Sequence, residues 1–240
     1  MIIERAFKTK PSFRVLASKP RKSLDKAALG TPERILDAAE KLFADAGYDA
    51  VSLRQITREA GVELALANYH FGPKLELFRA VVRRRAEALN TQRFALLAEL
   101  GEDATIEQLI HAFTAPFLER SMRGGPGWKN YARVIAQLTN SPRWQPDIIA
   151  SEFDPVARVF IERILQVFPG AREEDLYWGF HFLLGAMTIT FAETGRVDSL
   201  SAGRFKATDL DTIHARMIPF LAAGFRALCE PRAASAAPSS

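Results

Sequence analysis

A chain of 240 residues, 48% hydrophobic and 25% charged, has the composition of a soluble globular protein of one or two domains. Its one cysteine, Cys229, excludes an internal disulfide and a multi-cysteine zinc site, and fits a reducing cytoplasm. The net charge is +4, yet residues 1–30 hold eight basic and two acidic side chains, so the remainder is slightly acidic and the high isoelectric point belongs mainly to that segment.

Residues 1–30 lack sustained periodicity and are broken by Pro11 and Pro20. They are expected to form a disordered basic arm, which is either a solvated tail without function or a non-specific, salt-sensitive attractor of DNA phosphates. Thr31-Pro32 opens the first real helix, because proline suits a first helical position. Ile35, Ala38, Ala39, Leu42, Phe43 and Ala46 then recur at helical spacing, and Gly47 ends the run. A second helix is expected over about Leu53–Ala60, N-capped by Ser52, with Leu53, Ile56 and Ala60 on one face. Gly61 sits where that helix must stop. A third short helix, roughly Leu64–Phe71, ends at Gly72-Pro73. Helix, glycine turn and second short helix make either a structural helical corner or a helix-turn-helix, whose second helix enters the major groove of DNA.

The wider run TPERILDAAEKLFADAGYDAVSLRQITREAGVELALANYHFGPKLELFRAVV resembles the N-terminal DNA-binding domain of the TetR family of bacterial transcriptional regulators. The ordered matches are ILDAAEKLFADAGY, S-L-x-x-I-x-x-x-A-G-V, and Y-H-F followed by a lysine and L-x-x-L-F. The resemblance covers roughly residues 31–82. It implies an all-α fold: a three-helix head carrying the helix-turn-helix, then a larger helical domain for ligand binding and dimerisation. It also places Tyr69 and His70 against the DNA backbone, Arg54 at a base or phosphate, and Lys74 on a phosphate. Residue chemistry adds further candidates. Ser52, Thr57 and the helix N-termini can bind phosphate. Asn68, standing where many members have an aromatic, can pair with adenine. Glu63 can accept from cytosine N4 or simply favour a helix N-terminus. Leu64 and Ala65 can touch a thymine methyl. The N-Y-H-F-G run is similar to a subset of the family that includes regulators of fatty-acid and acyl-CoA metabolism.

A fourth helix, about Pro73–Leu100, is shared between the head and a second domain. Head and body are therefore drawn at residues 31–78 and 79–229, with a loose tail at 230–240. Helical patterns continue at Thr105–Met122, Trp128–Leu138, Asp147–Phe168, Glu173–Gly195 and Leu210–Leu228, with a loop rich in Gly, Ser and Asp before the last. Trp178–Ala192 is the most apolar stretch, short of the ~20 residues a membrane helix needs. A helix apolar nearly all round is buried or covered by a partner. A two-fold, four-helix dimer interface is expected from Phe180, Leu184, Met187, Met217, Phe220 and Leu221. An apolar cavity with few polar groups is expected in the body, with Phe113, Phe117, Arg133, Gln137, His181 and Leu184 as its candidate lining.

Neither a G-x-S-x-G nor a Walker loop occurs, and His70, His111, His181 and His214 lack metal-site spacing. The sequence is thus expected to encode a cytoplasmic regulator that is not an enzyme and needs no cofactor or metal. Its expected partners are double-stranded DNA, a second copy of itself, and a small apolar or acyl effector such as a fatty acid or acyl-CoA that releases a repressor from a near-palindromic operator; no membrane partner is expected. The alternative from another class is a helical ligand- or partner-binding protein without sequence-specific DNA binding, which Leu64 and Leu66 in the recognition helix would favour.

Overall fold

The computed structural model describes residues 30–192 and 194–230. The expected basic arm and most of the C-terminal tail lie outside the described residues. Among the described residues there are ten α-helices: α1 (Thr31–Ala50), α2 (Leu53–Ala60), α3 (Leu64–Phe71), α4 (Lys74–Glu99), α5 (Ile106–Arg123), α6 (Pro126–Thr139), α7 (Ala150–Val167), α8 (Glu173–Phe191), α9 (Arg196–Leu200) and α10 (Leu210–Cys229). A 3₁₀ turn at Pro142–Trp144 and a π-helical turn at Gln145–Ile149 lead into α7. Among the described residues there is no strand, and no helix is long and apolar enough to cross a membrane.

Three helix starts are fixed by side-chain caps. Ser52 accepts from the Gln55 amide while the Gln55 side chain accepts from the Ser52 amide, a reciprocal cap on α2. Thr105 and Gln108 repeat that device on α5, and Asp209 caps α10. The short α9 falls in what the sequence pattern reads as loop; its five residues bury none of their side chains and are too few to leave a periodic signal.

The apolar interior is continuous from the head into the body. Ile35, Ala39, Phe43, Ile56, Leu77 and Val81 close the head and belong to one cluster with Leu109, Phe113, Tyr131, Phe160 and Phe225. The aromatic group Phe43, Tyr48, Phe78 and Trp144 makes the join, with neighbouring ring centroids about 5–6 Å apart. Helix α4, at 1.5 Å per residue about 39 Å long, runs through both parts, burying Leu77, Phe78, Val81 and Val82 in the head and Leu89 and Leu97 in the body.

Ionic contacts fix α1 against this frame. Glu40 is only 1% exposed, accepting from Arg84 Nη2 at 3.1 Å and from Arg85 Nε and Nη2. Arg85 and Arg120 in turn lie over the Trp128 ring at 4.9 and 4.8 Å. A carboxylate this deep persists only because it is paired and hydrogen-bonded.

Candidate nucleic-acid interface and apolar cavity

Helices α2 and α3 are set by the turn between them. Gly61 holds φ 64° and ψ 43°, a conformation that costs glycine little and β-carbon residues more. The Arg34 guanidinium caps this corner, donating to the carbonyls of Ala60 at 2.6 Å and Gly61 at 2.9 Å. Lys41 on α1 pairs with Glu59 on α2 at 2.6 Å. Ala67 is the buried anchor of α3, and Leu64 is half-buried. The face left outward carries Glu63, Ala65, Leu66, Asn68, Tyr69 and His70. Tyr69 is 83% exposed and its ring lies edge-on to His70. Glu63 precedes α3 and makes no side-chain cap. The outward face of α3 thus offers amide, phenol and imidazole groups to solvent, and Arg54 on α2 is exposed as well.

Two of the expected phosphate contacts are engaged within the head. Thr57 points inward, 4% exposed, with its hydroxyl donating to the Arg54 carbonyl; residue 57 falls one past Ile56, and an eight-residue helix buries both. Lys74 is half-buried, donating from Nζ to the carbonyls of Tyr48 at 2.9 Å and Val51 at 2.8 Å and sitting 4.1 Å from the Tyr48 ring centroid. It clamps the α1–α2 connection and retains at most one ammonium hydrogen for another acceptor. Ser52 is exposed, its hydroxyl engaged in the α2 cap.

In the body, a cavity of about 80 Å³ lies among α4, α5, α6, α7 and α8. Of the expected lining, Phe113, Phe117 and Leu184 are on it, joined by Phe153, Phe180, Met187, Thr188 and Phe191. Arg133, Gln137 and His181 are not. Arg133 Nη1 donates to Asp45 at 3.0 Å and Gln137 Nε2 to the Ala44 carbonyl at 3.1 Å, so both tie α6 to α1. His181 is exposed beside Trp178 and Phe182.

Phe180, Leu184 and Met187 are expected from the sequence at the dimer interface, but they line the cavity. Met217 is buried, and Leu221, also buried, floors a surface groove between α8 and α10. The outward stripe of α8 is instead Trp178, Phe182, Gly185 and Ile189, next to Phe220 of α10, which is 73% exposed. Gly179 lets the two helices close up, because a β-carbon there would collide with the Phe225 ring. Trp178 and Phe182 stack with ring centroids 5.9 Å apart, and Phe182 shares the groove with Phe220.

The cavity also contains a group that periodicity could have revealed. Leu89, Arg93 and Leu97 are spaced by four on α4, so a charge interrupts an apolar stripe. Arg93 is 3% exposed.

Comparison with known proteins agrees with this architecture. A family model described as bacterial regulatory proteins, tetR family, matches residues 35–81, and one described as tetracyclin repressor-like, C-terminal domain, matches residues 111–224. The chain is 33% identical over 92 residues to the HTH-type transcriptional activator FasR of Mycolicibacterium smegmatis, spanning 38% of this chain and 42% of that protein. It is 41% identical over 82 residues to the HTH-type transcriptional regulator SrpR of Pseudomonas putida, spanning 34% and 37%. The matched stretch is thus less than half the length of either relative. A solved tetR-family transcription regulator from Shewanella sp. PV-4 superposes with a TM-score of 0.59 at 16% identity, covering 79% of this chain and 96% of that one.

Proposed function

Because the chain belongs to the TetR family of bacterial regulatory proteins, we propose that it is a homodimeric, DNA-binding transcriptional repressor released by a small apolar or acyl effector. The observation that carries the reading is the exposed face of α3, with Asn68, Tyr69 and His70 outward from a head held rigid by Arg34, Glu40 and Lys74. Asn68 reads a base, Arg54 a base or phosphate, and Tyr69 and His70 the backbone. The Trp178, Phe182, Ile189 and Phe220 face is covered by the same face of a second copy. Two-fold symmetry then demands half-sites about 34–36 Å apart or a multiple of that.

The effector works through α6. That helix lines the cavity with Ile135 and Thr139 and is bonded to α1 through Arg133 and Gln137. The cavity is far below the roughly 300–1,000 Å³ of small-molecule sites. An acyl effector must therefore push the surrounding helices apart, and α6 carries that displacement to the head. The ligand shifts the equilibrium only by its differential affinity for the two arrangements.

Footprinting on the intergenic DNA upstream of the protein's own gene tests this reading. Two protected half-sites related by a dyad are expected, lost on adding effector. Uniform protection of all sequences would overturn it. The relative FasR is named an activator, so a promoter fusion is the check on sign: rising expression on deletion of the gene supports repression, and falling expression makes the protein an activator.

A further inference from the structure

Arg93 is a buried cation with no carboxylate partner among the described residues. Its Nε donates to the Phe113 carbonyl at 2.8 Å, and its guanidinium carbon lies 4.1 Å from the Phe113 ring centroid. Among the described residues it forms no ion pair. Asp154 also lines the cavity, but it is part-exposed and lies 3.8 Å from Arg158. Burial pulls the Arg93 guanidinium down to about 9, the direction expected where the charged form is deprived of water. A buried, unpaired charge is costly unless something completes it. Apart from Asp154 and the threonines Thr139 and Thr188 the wall is apolar: Phe117, Phe153, Leu184 and Met187 line the space that Arg93 borders.

The geometry points to Arg93 as the anchor for the carboxylate of an amphipathic acid, whose hydrocarbon part lies among Phe117, Phe153, Leu184 and Met187. This rests on the effector reading above and narrows it. The preferred ligand is a free carboxylic acid and not a thioester, because the thioester carbonyl is uncharged and offers no planar pair of anionic oxygens. A guanidinium fork matches a carboxylate with two parallel hydrogen bonds, a geometry available to neither an alcohol nor an ester. In the unliganded arrangement the Phe113 ring and carbonyl hold the guanidinium in place, so the fork is pre-oriented at the cavity edge.

The test uses the full-length protein and calorimetric titration with decanoate, methyl decanoate and decanol, each below its aggregation limit. Decanoate is expected to bind at least about ten-fold tighter than the ester or the alcohol, about 1.4 kcal/mol. Arg93→Met should erase that preference while leaving ester binding in place, and Arg93→Lys should keep part of it. With carboxyl-¹³C decanoate, the bound resonance should move with Arg93→Met and not with a distant control such as Arg58→Met, on the exposed side of α2. Equal affinity for acid and ester in the wild type, or a preference that survives Arg93→Met, overturns the proposal. So does failure of butanoate, hexanoate, octanoate and decanoate all to bind. If Arg93→Met does not fold, the wild-type acid–ester comparison and Arg93→Lys decide. Operator binding is measured separately, so a protein that binds DNA specifically but ignores acids loses the anchor and keeps its regulatory role.

Discussion

Replacing Glu40 by alanine should loosen α1 from α4 and destabilise the whole chain. The Glu40 side chain is 2% exposed and meets Arg84 and Arg85, whose side chains are 25% and 18% exposed. Removing one partner of a buried ion pair costs about 3–5 kcal/mol, because the other charge is left uncompensated. Here both arginines keep some water and Arg84 also pairs with Asp37 at 2.7 Å, so the cost is set at about 2–3 kcal/mol after discounting for exposure. For a chain of this size that is a fall in Tm of roughly 5–10 °C. Glu40→Gln keeps the volume and one acceptor and should cost about half as much. Urea denaturation at fixed protein concentration, needed because dimerisation makes stability concentration-dependent, measures both. If Glu40→Ala costs under about 1 kcal/mol, or if Glu40→Gln is neutral, this pairing does not lock α1 to α4.

Other perturbations address separate parts of the molecule. Phe220→Asp places a charge on the exposed aromatic face and should yield monomers in analytical ultracentrifugation with an unchanged helical spectrum; an unaltered sedimentation coefficient would remove that face from the interface. Asn68→Ala should cost about 1–3 kcal/mol at one base position and leave binding to random DNA alone; equal losses on both DNAs would end its assignment as a base reader. Lys74→Met should lower head stability through loss of its two carbonyl contacts, and its effect on the slope of binding against salt shows whether a phosphate contact is lost as well. His111 and His214 lie 5.6 Å apart by ring centroid, and burial lowers both pKa values. The unfolded chain then binds more protons, so stability should fall as pH drops through the ordinary histidine range near 6.5 towards the lowered folded values. His214→Leu should flatten that dependence, and a chain equally stable at pH 7.5 and 5.5 would contradict it.

The head was legible because its signals are local. A 3.6-residue stripe over Ile35–Phe43, an N-cap at Ser52, and a glycine at the α2–α3 turn each act within a few residues. The body was legible as helices but less so as a site. Helix α8 is apolar on two faces, and a helix of that kind gives no sign of which stripe points inward. Phe180, Leu184 and Met187 take the cavity side, leaving Trp178, Phe182 and Ile189 outside. Arg133 and Gln137 read as interior polar groups because they are flanked by the buried Ala132, Val134, Ile135 and Leu138. Their partners, Asp45 and the Ala44 carbonyl, are 88 and 93 residues away, beyond any window of sequence. Arg93 was missed, since its one sequence signal is a charge out of place in the Leu89–Leu97 stripe, and its setting depends on Phe113 on another helix.

The most direct test is fluorescence anisotropy of the full-length protein on its own upstream intergenic DNA and on random DNA, each across a salt series. A sequence-reading head predicts a preference of at least about 10³ for the upstream DNA at physiological salt, with the preference surviving as salt weakens both complexes. Equal, weak and steeply salt-dependent binding to the two DNAs, also seen on fragments tiled across the surrounding genome, would contradict the assignment of α3 as a recognition helix and leave only non-specific attraction to phosphates.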